Sequence, residues 1–237
     1  MPEWECLKLH EFLTLHPCMR LVELNSQRVV IDGEYEIDAQ MKGFEPILDT
    51  YQLQVVFPAD YPRSLPIVRE SERRIPRTAD YHTYKDGSFC LGSDIKLKSI
   101  LFEYPAVTKF VEKILDPFLY AVTYKVKHDI YPFGDLDHGE DGLIDDYEQL
   151  FNVKEKAAVL LVLAALGKRK REANKLPCQC GCRRRIGKCD FRFSLQRWRL
   201  LDRRRWFREH LSKFTPIEKP KKSKRPRKSS SRASRNR

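Results

Sequence analysis

The segment Tyr51-Gln52-Leu53-Gln54-Val55-Val56-Phe57, followed by Pro58-Ala59-Asp60-Tyr61-Pro62 and then Leu65-Pro66, decides the reading of the fold. Polar and apolar residues alternate, β-branched and aromatic types are enriched, and the run stops at a cluster of prolines. That is the pattern of a strand with one buried face. Upstream, Val29-Val30-Ile31-Asp32-Gly33-Glu34-Tyr35-Glu36-Ile37-Asp38 alternates in its second half and reads as a partner strand. Lys42-Gly43 and Asp49-Thr50 mark the turn region between them. The strand-like pattern opens near Leu21, and Ile67-Val68 supplies a short fourth strand. Local connections between such strands give an antiparallel meander.

Helical patterns flank this core. Trp4, Leu7, Phe12 and Leu15 fit an irregular amphipathic N-terminal helix that stops before Pro17. Residues 71–99 are loop-rich. From Ser99 to Tyr124, Val107, Phe110, Val111, Ile114, Leu115 and Leu119 recur at helical spacing, and Pro117 kinks that helix or starts a second one. Tyr131 to Gly142 is a turn-forming loop. Leu143–Phe151 and Lys154–Leu166 read as helices, with Asp145-Asp146 as a helix first turn, where acids suit the dipole. Phe191 to Phe214 is a basic, aromatic helix candidate. The chain after Thr215 has no apolar periodicity and is expected to be disordered.

Charge divides the chain. Residues 1–160 hold 18 Lys+Arg against 28 Asp+Glu, a balance of −10; residues 161–237 hold 27 against 5, a balance of +22. Such asymmetry implies two jobs, and the basic half favours an acidic protein surface, nucleic acid or anionic lipid. The longest apolar stretch, Ala157 to Leu166, is too short to span a membrane, and the N-terminus lacks the apolar run of a signal peptide. Four of the seven cysteines cluster within residues 178–189, which suits a metal better than a disulfide framework. A reducing, cytoplasmic compartment follows as the expectation.

Asp80-Tyr81-His82-Thr83-Tyr84-Lys85-Asp86-Gly87-Ser88-Phe89-Cys90-Leu91-Gly92 places one cysteine on a glycine-containing loop after the sheet. A lone cysteine is usually a buried small hydrophobe, and Cys6 and Cys18 read that way. Cys90 differs in its loop, the preceding Gly87 and the polar residues around it. Reactivity requires thiolate character, for which His82, Lys85 and Lys96 are possible cations.

Tyr61-Pro62 with Pro66, and Gly87-x-x-Cys90-Leu91, make residues 1–125 resemble a ubiquitin-conjugating enzyme. The resemblance implies an α+β fold with a four-stranded antiparallel meander and flanking helices. It also implies a ubiquitin-like modifier carried as a thioester on Cys90, supplied by a ubiquitin-activating-like enzyme and passed to an amine of a target protein. The His-Pro-Asn triplet of eukaryotic members is absent, and His82 stands about where its Asn would fall. The chain is more similar to the divergent bacterial members, in which a His is thought to replace the Asn. That likeness extends to Gly134-x-x-x-His138-Gly139-x-x-Gly142 and Tyr147. In this reading His82 stabilises the oxyanion of aminolysis, and Asp86 or His138 accepts the amine proton. The plainer readings are that His82 pins the loop by a structural hydrogen bond and that His138 belongs to a turn or helix cap.

Cys178-Gln179-Cys180-Gly181-Cys182 with Cys189 is a metal pattern, because crowded thiolates call for a cation and zinc takes four of them in a tetrahedron. The run resembles the C-terminal zinc motif of the translocase SecA. Cys178, Cys180 and Cys189 match its ligand positions, and Asp190 stands where its fourth ligand would be. Cys182, although not at the family's position, is then the expected fourth ligand, and a four-ligand site is structural.

The expected organisation is a conjugating-like domain with C-terminal helices over 1–166, a basic linker over 167–175, a zinc module with a basic helix over 176–214, and a basic tail over 215–237. Rival readings are a non-catalytic adaptor of the same fold and a zinc-containing nucleic-acid-binding protein. A third is a cysteine hydrolase using Cys90 with His82 or His138. Trp198, Trp206 and Phe207 could stack on bases, or simply pack on the neighbouring module; the tail would bind nucleic acid weakly.

Overall fold

The computed structural model describes residues 4–132 and 140–214, so His138 and the basic tail lie outside the described residues. The alternating segments pair as strands β1 (Met19–Leu24), β2 (Arg28–Ala39), β3 (Ile47–Pro58) and β4 (Ile67–Glu70), in one antiparallel sheet ordered β1-β2-β3-β4. Side chains alternate between faces along each strand, so register sets the core. Val29 pairs with Phe57, Ile31 with Val55, and Tyr35 with Tyr51, and all six are buried.

Asp49 and Thr50 do not form a turn. They lie within β3, opposite Ile37 and Glu36, and the reversal falls nearer Gly43. Long-range pairing overrides the local turn preference of Asp49. Its carboxylate instead accepts the Thr50 N–H at 2.8 Å and pairs with Arg74 at 2.7 Å.

One face of the sheet is covered by helices. A 3-10 turn (Trp4–Leu7) leads into α1 (Leu9–Leu15), which buries Phe12 and leaves Leu15 exposed, contrary to its expected place on the apolar face. After the sheet come α2 (Asp94–Glu103), α3 (Val107–Phe110), a π-helical stretch (Val111–Leu115) and α4 (Asp116–His128). Pro117 sits in the first turn of α4. It has no N–H to give to a carbonyl four residues back, and the widened turn lies directly before it. These elements and the sheet share the first hydrophobic core.

Helices α5 (Glu140–Phe151), α6 (Lys156–Gly167), α7 (Lys170–Ala173), α8 (Phe191–Leu201) and α9 (Arg204–Phe214) build a second core with the cysteine-rich segment. The expected boundaries at 166 and 175 fall inside it. Since α5 starts at Glu140, Asp145 and Asp146 lie beyond its first turn, and Asp146 pairs with Lys96 of α2 at 3.3 Å. The expected single helix over 191–214 is two helices, broken at Asp202. There the carboxylate accepts the Arg203 N–H at 2.6 Å and pairs with the buried Lys98 of α2. Lys98 also donates to the Arg63 carbonyl and lies 4.8 Å from the Trp206 ring. Ile95, on the same helix, is buried in the second core. Helix α2 thus joins the two cores. No helix among the described residues is long and apolar enough to cross a membrane.

Candidate functional site

The chain carrying Cys90 is held to the sheet by its backbone. Phe89 N–H donates to the Val68 carbonyl at 3.0 Å, and Ser88 bridges Arg69, so this segment extends the pairing of β4. It also folds back on itself. Thr83 bridges Phe89, Tyr84 N–H donates to the Ser88 carbonyl at 2.8 Å, and Gly87 N–H donates to the Tyr84 carbonyl at 2.9 Å. The result is a tight hairpin. Gly87 has φ +82, and a Cβ there would stand 2.7 Å from the Glu70 carbonyl oxygen, so the turn requires glycine. Asp86 is consumed by this turn. It accepts Ser88 N–H at 3.1 Å and Ser88 Oγ–H at 2.6 Å, bonds that hold its carboxyl below the usual range, and it pairs with Arg69 at 3.4 Å.

His82 is buried, in a left-handed conformation at φ 48, and its carbonyl accepts the Cys90 N–H at 2.8 Å. Buried Lys125 fixes the turn before it, reaching the Asp80 carboxylate at 2.7 Å and the Asp80 carbonyl at 3.1 Å. The His82 ring lies 5.5 Å from the Tyr131 ring. His82 therefore positions the cysteine through its backbone, while its side chain lines the same cleft as Cys90. The structural reading of His82 has a concrete bond behind it, and the donor reading has a shared cavity.

Tyr84 is a residue the sequence reading missed. The Cys90 sulfur beside its hydroxyl raises the pKa of the phenol, and Asp94 adds a smaller push in the same direction. The signal was present: Asp86-Gly87 is a strong hairpin dipeptide, and a hairpin there sets Tyr84 diagonally across from Cys90.

Cys90 is half-buried where two hollows meet. A recess of about 110 Å³ holds Tyr84, Asp94, Leu65 and Pro66, and a cleft of about 640 Å³ runs from His82 and Cys90 toward α5 and α9. Its far wall carries Asp145, Asp146, His210 and Lys213. Buried His210 bonds Tyr147 through Nδ1 at 2.6 Å and stacks on Trp206 at 3.6 Å. Burial pushes its pKa down to about 4, so the ring is neutral at pH 7. The cleft is large enough for a peptide segment or a small molecule.

The second centre is the cysteine cluster. Cys178, Cys180, Cys182 and Cys189 bring their sulfurs within 4.8 Å of one another. Sulfurs of a zinc tetrahedron at 2.3 Å stand about 3.8 Å apart. The Cys178–Cys180 and Cys180–Cys189 separations, 3.2 and 3.5 Å, approach that value. Cys182 and not Asp190 completes the set of four. The chain turns at Gly181, with φ +80, and Pro177 bridges Arg185 to close the knuckle. The Arg184 N–H pulls the Cys182 thiol down to about 6, whereas burial pushes Cys178 up. A metal ion fits these donors. Cys18, expected to be buried, is exposed.

Three aromatic residues of the basic helices pack inward, whereas Phe193 of α8 is exposed. Trp198 lies 4.7 Å from Phe151, Phe207 is fully buried, and Trp206 is committed to His210 and Lys98. Among known protein families, curated proteins and solved structures, nothing matches the chain.

Proposed function

We propose that this chain is a ubiquitin-conjugating-like enzyme of the divergent bacterial type, with a structural zinc ion in the Cys178–Cys180–Cys182–Cys189 knuckle. The observation that carries the reading is Cys90 itself. It is reachable, held on a hairpin extending an antiparallel meander, and opens onto two hollows with a phenol and an imidazole nearby.

The chemistry needs little more. The Cys90 thiolate attacks the thioester carbonyl of a modifier on its activating enzyme; a new C–S bond forms and the activating enzyme's thiolate leaves. A target amine then attacks the Cys90 thioester. A C–N bond forms, the C–S bond breaks, Cys90 departs as thiolate, and the amine proton passes to solvent or a neighbouring base. Negative charge on the carbonyl oxygen calls for donors, and His82 and Tyr84 are two side chains near Cys90 able to donate. Asp86 is occupied by its turn, which leaves Asp94, shared by both hollows, and His138, outside the described residues, as bases. The zinc ion takes no part in these steps.

The test uses the cognate modifier, its activating enzyme and ATP. Cys90 acquires an adduct that thiol reductants remove; Cys90→Ser gives a slower oxyester and Cys90→Ala gives none. His82→Ala charges but discharges to lysine on the order of a hundredfold more slowly. Wild-type protein that never charges would leave the adaptor reading in its place.

A further inference from the structure

The basic half of the chain contributes nothing to the chemistry above, and part of its charge is structural. Arg199 donates to the Ala165, Leu166 and Lys168 carbonyls at 2.7, 3.2 and 2.8 Å, and Arg208 to the Gly167 carbonyl at 3.2 Å. Both satisfy the orphan carbonyls at the C-terminus of α6, where cations also suit the helix dipole. What stands around this cap has no such task. Residues 168–175 carry Lys168, Arg169, Lys170, Arg171 and Lys175 against the single acid Glu172, and all five cations are exposed. Arg204 joins them from α9: its carbonyl stands 3.8 Å from where a Gly167 Cβ would be, and its charge helps lower the pKa of Arg199 behind burial. No ion pair among the described residues engages Lys168, Arg169, Lys170, Arg171 or Arg204.

Cations crowded into so short a segment repel one another, and a bound anion offsets that repulsion. A ligand that meets so many neighbouring cations must itself carry closely spaced charges. Duplex DNA presents one every ~1.7 Å of its axis, far denser than the mixed surface of most acidic proteins. Trp198, Trp206 and Phe207 are committed to packing and offer no base stacking, and the exposed cations match the phosphate backbone. We infer that the surface around the C-terminal end of α6, formed by residues 168–171 with Arg204, binds a nucleic-acid phosphate backbone without sequence preference. This activity is independent of Cys90.

The probe is a fluorescein-labelled 20-base-pair DNA duplex, titrated with the full chain by anisotropy from 50 to 200 mM salt. Binding should weaken steeply and log-linearly with salt. Arg169→Glu with Arg204→Glu, in the chain with its tail intact, should lower affinity at least tenfold and reduce the salt slope by about 2, close to one for each phosphate no longer neutralised. The same pair changed to Gln provides a milder variant should the reversal disturb folding, and it should show the same fall in slope. A second, unrelated duplex should bind within twofold of the first. Absence of binding at 50 mM salt overturns the inference. So does a wild-type slope in the variants, which would put binding on residues 215–237 alone. Displacement of the duplex by polyglutamate at equal charge concentration would overturn it in favour of an acidic protein.

Discussion

Replacing Asp202 by Ala should loosen the attachment of α8 and α9 to α2 more than any surface change of similar size. The Lys98 side chain is 6% exposed and that of Asp202 12%, so the variant leaves a buried ammonium without its carboxylate. Removing one partner of a buried pair typically costs about 3–5 kcal/mol, because the stranded charge cannot return to water. Two contacts remain to Lys98, the Arg63 carbonyl and the Trp206 ring at 4.8 Å. A cation–π contact offsets about 1–2 kcal/mol when desolvated, so the lower end, about 3 kcal/mol, is expected. Lys98→Met should cost less, since Asp202 keeps its bond from the Arg203 N–H at 2.6 Å. The pair Lys98→Met with Asp202→Leu should return to within about 1 kcal/mol of wild type, because two apolar groups of similar volume need no solvation. Urea unfolding of the full chain, followed by tryptophan fluorescence, reads all three variants, with Trp206 reporting at the junction. A cost below about 1 kcal/mol for Asp202→Ala, or a Lys98→Met/Asp202→Leu pair that costs as much as Asp202→Ala, would refute the idea that this pair joins the cores.

Purified protein should contain about one zinc per chain, and Cys178→Ser or Cys189→Ser should release it; metal analysis finding none, with four freely titrating thiols, would contradict the site. Stability should fall as pH drops from 6.5 toward about 4, because His210 stays neutral when folded but takes a proton when unfolded. Lys98 and Lys213 oppose that proton and Asp94 and Asp202 favour it, with burial the largest effect. The loss is at most about 3 kcal/mol, and His210→Gln should flatten this part of the denaturation-versus-pH curve. Deleting residues 216–237, which have no apolar periodicity, should leave the melting temperature unchanged.

The sheet was legible because a two-residue period with one buried face leaves little freedom of register. Inward residues such as Ile31 and Val55 announce both strand and partner. The cysteine cluster was legible for a related reason: its ligands are local, so spacing nearly determines geometry. What escaped the sequence depends on distant partners. The break between α8 and α9 is invisible in residues 191–214, since Asp202 owes its place to Lys98 more than a hundred residues earlier in the chain. The turn assigned to Asp49-Thr50 failed because cross-strand pairing and Arg74 outweigh local preference. Tyr84 was overlooked although Asp86-Gly87 encodes the hairpin that carries it. No periodicity could show that the backbone of His82, and not only its ring, would hold Cys90.

The arrangement makes the metal-bearing half part of the Cys90 cleft, and that dependence can be separated from the cysteine's own support. The hairpin of residues 83–89 hangs on β4 and on His82, all within the first core. The opposite wall, with His210 and Lys213, belongs to α9 and to the core that contains Cys178 and Cys189. Releasing the metal should loosen the second core while sparing the first, because the knuckle ligands touch only the former. Cys90 would then keep its geometry and lose its enclosure. Alkylation by iodoacetamide, read at the Cys90 peptide by mass spectrometry, should therefore speed up several-fold after chelation, and Asp202→Ala should mimic the effect with the metal in place. Equal labelling rates before and after chelation, with α8 and α9 demonstrably loosened by hydrogen exchange, would mean that the wall does not shield Cys90. The cleft would then be a hollow between two units and not a site built by both.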